Sequence, residues 1–155
     1  MCQIGLEELT NKEFPQNTTL NAHIKPTFTN STVHFASIIN SNLATINKFD
    51  GSYDINKNSL EALYSADIPS LAKLEFLTGI KLNGALNPSG KISINESINA
   101  TLNSDFIGSK LKIDIKDNKA NLNLSTFEIA KLLEFLDFMP FYEGQATLNA
   151  NYNLD

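Results

Sequence analysis

The sequence predicts a mainly β fold: a curved antiparallel sheet, open as a groove or closed up sandwich-like, with two short amphipathic helices. Three observations carry this. Apolar and polar residues alternate with period two through most of the chain, the pattern of strands with one face buried and one in water. Turn-forming Asn, Asp, Gly and Pro punctuate that alternation about every 8–12 residues, which yields about nine or ten strands. Two segments abandon period two for helical spacing.

Taken in order, Gly5 to Lys12 carries a vague helical pattern. Leu20, Ala22 and Ile24 then alternate with polar residues, as do Val33 and Phe35, and Asp50-Gly51 precedes a strand with Tyr53 and Ile55. Asp67-Ile68-Pro69-Ser70 opens the first helix, with Asp67 as N-cap, Pro69 in the first turn, and Ile68, Leu71 and Leu74 on one side. Ile80, Leu82 and Leu86 read as a strand, and Asn87-Pro88-Ser89-Gly90 as the hairpin leading to Ile92 and Ile94. Ile98, Ala100 and Leu102 follow, then Leu111, Ile113 and Ile115, a tight turn at Asp117-Asn118, and Ala120, Leu122 and Leu124. Ser125-Thr126-Phe127-Glu128 reads as a capping box for a helix with Ile129, Leu132, Leu133 and Leu136 on one face, limited by Pro140. Ala146, Leu148, Ala150, Tyr152 and Leu154 make the last alternating run.

Some of this order recurs. Asp54, Ile55 and Asn58 match Asp114, Ile115 and Asn118, and Gly84 matches Gly144, each pair 60 residues apart (114 − 54, 144 − 84). The approximate repeat covers 50–90 and 110–155, and a second echo links Leu20-Asn21-Ala22 with Ile98-Asn99-Ala100. At 155 residues the chain reads as a single domain or an excised segment of a longer repetitive protein.

Composition excludes several functions. Twelve Lys without any Arg, against 17 acidic residues, leave a net charge of −5, so the basic stripe and Arg forks of a nucleic-acid binder are missing. Twenty Asn, about one residue in eight, suit turns and solvated strand faces, and Asn/Lys-rich, Arg-free usage also fits an AT-rich coding sequence. Cys2 is the one cysteine, so no internal disulfide and no Cys-based metal site is expected. It follows Met1 directly, where a lipid-modified Cys would sit in a lipoprotein without its signal, a placement that can equally be incidental. No run of about 18 apolar residues is present, and Met1 to Leu9 lacks the features of a secretory signal.

Catalytic chemistry finds no footing. His23 and His34 read as surface or edge-strand residues with no Asp, Glu or Cys cluster to complete a metal site. Asp50, Asp54, Asp67, Asp105 and Asp117 stand where turns and caps place Asp, and Gly79, Gly84 and Gly90 follow no phosphate-loop spacing. No enzyme activity, metal or cofactor is therefore expected.

The hairpin Lys110-Leu111-Lys112-Ile113-Asp114-Ile115-Lys116-Asp117-Asn118-Lys119-Ala120-Asn121-Leu122-Asn123-Leu124 runs into Ser125-Thr126-Phe127-Glu128-Ile129-Ala130-Lys131-Leu132-Leu133. A Gly-led strand follows, Gly144-Gln145-Ala146-Thr147-Leu148-Asn149-Ala150. This order resembles the repeat unit of the AsmA/TamB-like bacterial envelope proteins, over about two thirds of the chain from Asp50 onward. The N-terminal membrane helix of full-length members is missing, so the resemblance implies an excised segment or a small relative, with membrane association supplied by segments outside this chain. It also implies a long curved sheet whose apolar face forms a groove for phospholipid acyl chains between the inner and outer membranes. Location in the periplasm, anchored to the inner membrane in the full-length protein, follows from the same likeness.

On that reading the groove candidates are Leu111, Ile113, Ile115, Leu122, Leu124, Leu148 and Tyr152. The plain alternative is a closed sandwich or a helix-plugged groove with a dry core. Leu133, Leu136, Phe138, Met139 and Phe141, with Phe135 and Tyr142 beside them, form the most apolar stretch of the chain. It serves either as a lip or plug touching lipid, or as a core helix docked on the sheet with Phe138 and Phe141 wedged at its exit. A different class of function, a structural or adhesive β-repeat module binding a protein partner through its polar Asn-rich face, fits the same alternation.

Overall fold

A computed structural model describes residues 17–154. Nine strands form: β1 (Leu20–Thr29), β2 (Thr32–Ser41), β3 (Thr45–Asp54), β4 (Ser59–Asp67), β5 (Ser89–Ile94), β6 (Ile98–Phe106), β7 (Ser109–Lys116), β8 (Lys119–Glu128) and β9 (Gln145–Asn153). Each pairs antiparallel with its neighbour in sequence, giving one open sheet in the order β1 to β9 that does not close into a barrel. The expected mainly β class is therefore the observed one. A 3₁₀ turn (Leu71–Leu74) leading into α1 (Glu75–Thr78) lies between β4 and β5, and α2 (Ile129–Phe135) lies between β8 and β9.

Turn chemistry sets the pairing. Asn30, Asn58, Asp117 and Asn118 all hold positive φ, a region their short polar side chains tolerate and longer ones resist. The Asp54 carboxylate accepts the backbone N–H groups of Asn56 and Lys57, closing the β3–β4 turn. Each crossover follows an even number of strands. Both the segment after β4 and the segment after β8 therefore depart from the same end of the sheet, while tight turns trim the other end.

The crossovers are tied to each other. Asn83 donates its backbone N–H to the Phe135 carbonyl at 2.8 Å. Its side-chain amide donates to the Glu134 carbonyl and to Asp137. Lys81 forms an ion pair with Asp137 at 2.9 Å. These hydrogen bonds from Lys81 and Asn83 hold the Asp137 carboxyl below its ordinary pKa, and the same contact raises that of Lys81. Phe135 meets Phe106 of β6 edge-to-face with ring centroids 4.6 Å apart, which docks α2 against the end of the sheet.

Several local expectations are overturned. Ser125–Glu128 is not a capping box but the end of β8, paired with β9 through Phe127↔Ala146 and Glu128↔Gln145 after a register shift. Ser125 Oγ bonds the Lys110 carbonyl, and α2 begins at Ile129 without a side-chain cap. Burial of Phe127 in the sheet outweighs the local helix signal. Asp67 likewise closes β4 and caps no helix: its carboxylate accepts the amides of Asn47 and Asn87, which hold its pKa below the ordinary carboxylate value. Ile80 and Leu82 form no strand, because residues 79–86 are held in the crossover by Leu71 N–H to Gly84 O and Asn83 N–H to Phe135 O; only Leu86 bridges back, to Ile68. Asn87–Gly90 is accordingly the entry to β5 and no hairpin. Asp50-Gly51 lies within β3, and Ile55 falls just beyond it, exposed. The pattern at Gly5–Lys12 lies outside the described residues.

Candidate functional site: an open apolar sheet face

In an antiparallel ladder, directly opposed residues share a face. One cross-strand row can therefore be followed over the whole sheet: Pro26, Phe35, Gly51, Ala62, Ile92, Ala100, Ile115, Ala120 and Tyr152. Every member is apolar. Beside it run Ile24, Ser37, Phe49, Tyr64 and Gly90 on β1–β5. The same line continues as Leu102, Ile113, Leu122 and Ala150 on β6–β9. Eight spacings of about 4.8 Å make this apolar floor about 38 Å long.

Register shifts at Ser37/Ile39, Ile46/Lys48 and Leu124/Phe127 keep the apolar set on one side where the sequence parity breaks. Glycine allows close approach at two points of the floor, Gly51 against the Glu61 carbonyl and Gly90 against that of Thr101. A Cβ on Gly90 would lie 1.8 Å from the Thr101 carbonyl oxygen. Tyr64, opposite Gly90, crosses that gap and donates its hydroxyl to the same oxygen at 3.0 Å. Its burial there pushes the phenol pKa up.

All seven groove candidates share this face. Leu111↔Leu124↔Leu148 is one rung, and Ile113↔Leu122 and Ile115↔Ala120↔Tyr152 are the next two. Exposure climbs toward the β9 edge, from 3% at Leu124 to 45% at Leu148 and 70% at Tyr152. The part that residue patterning left out is the β1–β6 half: Ile24, Phe35, Phe49, Tyr64 and Ile92 lie on the same floor. Alternation marked most of those strands, but only their register shows that the two halves are continuous.

The described residues cover little of the floor. Among the described residues the buried apolar set is Leu43, Ala62, Leu71, Leu124 and Phe127, and no side chain of any size is fully enclosed. Ile24, Phe28 and Ile98 on the floor are exposed. A dry two-layer core is not what the described residues build.

The lip candidates sit at the crossover end. Leu133 is half-buried in α2, and Leu136 is the residue that ends that helix. Beyond them Phe138 (60% exposed), Met139 (83%), Phe141 (80%) and Tyr142 (60%) face solvent. Phe138 and Phe141 are therefore not wedged between helix and sheet, which corrects that reading of the segment.

The opposite face is polar and self-neutralised. Lys91–Glu61, Lys112–Asp114 and Lys110–Asp105 pair across or along strands, and the Asn123 amide bonds Asn149. Such exposed pairs add little stability, but they keep charge off the floor: none of the described strand residues on the apolar face is charged. Among the described residues no three of His, Cys, Asp and Glu gather as a metal site. His23 opposes Ile38 and His34 opposes Thr27 on the polar side. No helix among the described residues is long and apolar enough to cross a membrane. No protein family, curated protein or solved structure matches the chain.

Proposed function

We propose that the chain is a lipid-handling segment that holds or conducts phospholipid acyl chains along its apolar sheet face, in the periplasm between inner and outer membranes. The observation that carries this reading is the uncharged floor running unbroken across nine strands and left largely uncovered by the described residues. An exposed apolar face of that extent calls for a non-polar occupant. The floor's length of about 38 Å exceeds the ~30 Å hydrocarbon thickness of a bilayer, so an acyl chain fits along it with room to shift. The mechanism is passive: apolar side chains replace water around the chain, each buried methylene contributing about 0.8 kcal/mol. The resemblance of residues 110–150 to the AsmA/TamB-like repeat supports the same reading.

Native mass spectrometry of the purified protein tests it. Phospholipid should accompany the chain, and Leu122→Asp, which puts a charge in the middle of the floor, should remove it. Asn121→Asp on the polar face should leave it in place. A lipid-free species that resists loading, or one at about twice 17.1 kDa without lipid, would mean that another protein surface covers the floor.

A further inference from the structure

We infer that the loop Phe138-Met139-Pro140-Phe141-Tyr142 seats the crossover end of the sheet in the interfacial layer of a zwitterionic lipid bilayer. Five consecutive uncharged residues stand in solvent here, four of them large, each at least 60% exposed apart from the small, also exposed Pro140. Exposed apolar runs of this length oppose solubility unless something receives them.

The loop is built rather than loose. At its start, the Phe138 N–H is bonded to the Leu133 carbonyl, and Asp137 is clamped by Lys81 and Asn83. At its close, Gly144 accepts the Ile129 N–H. The apolar tip is thus presented on a braced base, and insertion sacrifices none of these bonds.

Its chemistry points to lipid over a protein partner. The tip brings no charge and few hydrogen-bonding groups with which to select a protein surface, while Phe and Met adapt to a fluid apolar phase and Tyr suits the headgroup boundary. The charges flanking it are Asp137, already neutralised by Lys81, and Glu143. An anionic surface therefore gains nothing from it, and a zwitterionic one meets no repulsion. The position is consistent as well: Leu124 and Phe127 are buried toward the end of β8 that leads into α2, and α2, which touches Phe106, leads on to the loop. The inference builds on the lipid-handling reading by supplying the membrane contact.

The chain has no Trp, so Phe141→Trp gives a single clean reporter. With phosphatidylcholine vesicles its emission should shift to the blue and be quenched by brominated acyl chains. Replacing Phe138, Met139 and Phe141 together by Ser should lower vesicle partitioning by at least about tenfold. That variant should still take up detergent-dispersed phospholipid in native mass spectra. Leu122→Asp should behave oppositely, retaining vesicle binding and losing the loaded lipid, so failure of the loop and failure of the floor give different results. Trp emission indifferent to phosphatidylcholine vesicles, undiminished partitioning of the triple variant, or binding confined to vesicles containing phosphatidylglycerol and abolished by salt would each overturn the inference.

Discussion

Replacing Gly90 with Ala tests the close approach of β5 and β6 beneath Tyr64. The new Cβ would lie 1.8 Å from the Thr101 carbonyl oxygen and 2.7 Å from its carbon, where about 3.3 Å or more is comfortable. The obstacle is backbone, so the two strands must part by about 1.5 Å, an overpacking cost of about 2–3 kcal/mol. That oxygen also accepts the Tyr64 hydroxyl, and loss of the bond adds about 1 kcal/mol. The reduced freedom of the unfolded chain returns about 0.5–1 kcal/mol. The net loss is about 2–3.5 kcal/mol, or a fall in Tm of about 4–14 °C for a domain of this size. Differential scanning calorimetry of Gly90→Ala, Tyr64→Phe and the double variant separates the contributions. Tyr64→Phe alone should cost about 1 kcal/mol but almost nothing once Ala is present, so the double variant falls short of additivity by about 1 kcal/mol. Ultraviolet titration supplies a second reading: the Tyr64 phenol, now pushed up by burial, should move back toward 10.0 in Gly90→Ala. An unchanged Tm, or full additivity with Tyr64→Phe, would refute the reasoning.

Other predictions concern separate parts of the sheet. Ile107 holds positive φ in the turn before Gly108, so Ile107→Asn, which creates an Asn-Gly turn, should stabilise the protein by about 0.5–1 kcal/mol in urea unfolding; a loss would mean that its apolar place in the cleft it lines with Gly84 and Phe135 outweighs the backbone strain. Leu124→Ala should cost about 2–4 kcal/mol and Leu148→Ala less than about 1 kcal/mol, following their 3% and 45% exposures; equal losses in denaturant titrations would contradict the burial gradient. The carboxyl of Asp137 is lowered, so its contribution is full above the ordinary value of 3.8 and disappears as pH falls through the lower folded one. Lys81 is raised, so its share holds below 10.5 and is lost as pH rises past its folded value. Asp137→Asn should therefore flatten both the acid and the alkaline falls in Tm, and unaltered limbs would count against the clamp.

The hairpin from Lys110 to Leu124 was fully legible because nothing interrupts it: alternation is strict, the Asp117-Asn118 turn supplies both positive φ values, and the register carries no bulge. Three groove candidates on β7 and two on β8 follow from that regularity. β3 was harder to read, since the shift between Ile46 and Lys48 changes parity and puts Phe49, Gly51 and Tyr53 on the floor out of step with Ile46. Exposed Ile38 and Leu63 on the polar side blur the pattern further. Residues 125–128 and 79–90 misled for one shared reason. Their local signals were real, but pairing with β9 in one case and contacts between crossovers in the other decided the outcome. The exposure of Phe138 to Tyr142 was not readable at all, because a run of apolar residues looks the same whether it is docked or bare.

Every strand of this sheet finds its partner in the very next strand, and that bears on how the chain reaches its shape. No segment waits for one made much later, so loop-closure costs stay small and pairing can begin at any hairpin. A chain emerging N-terminus first can add β3 to β2 and β4 to β3 as each is released, without holding open a gap for a distant strand. The ladder can thus lengthen in step with its own delivery, and each newly completed hairpin protects the edge exposed by the one before.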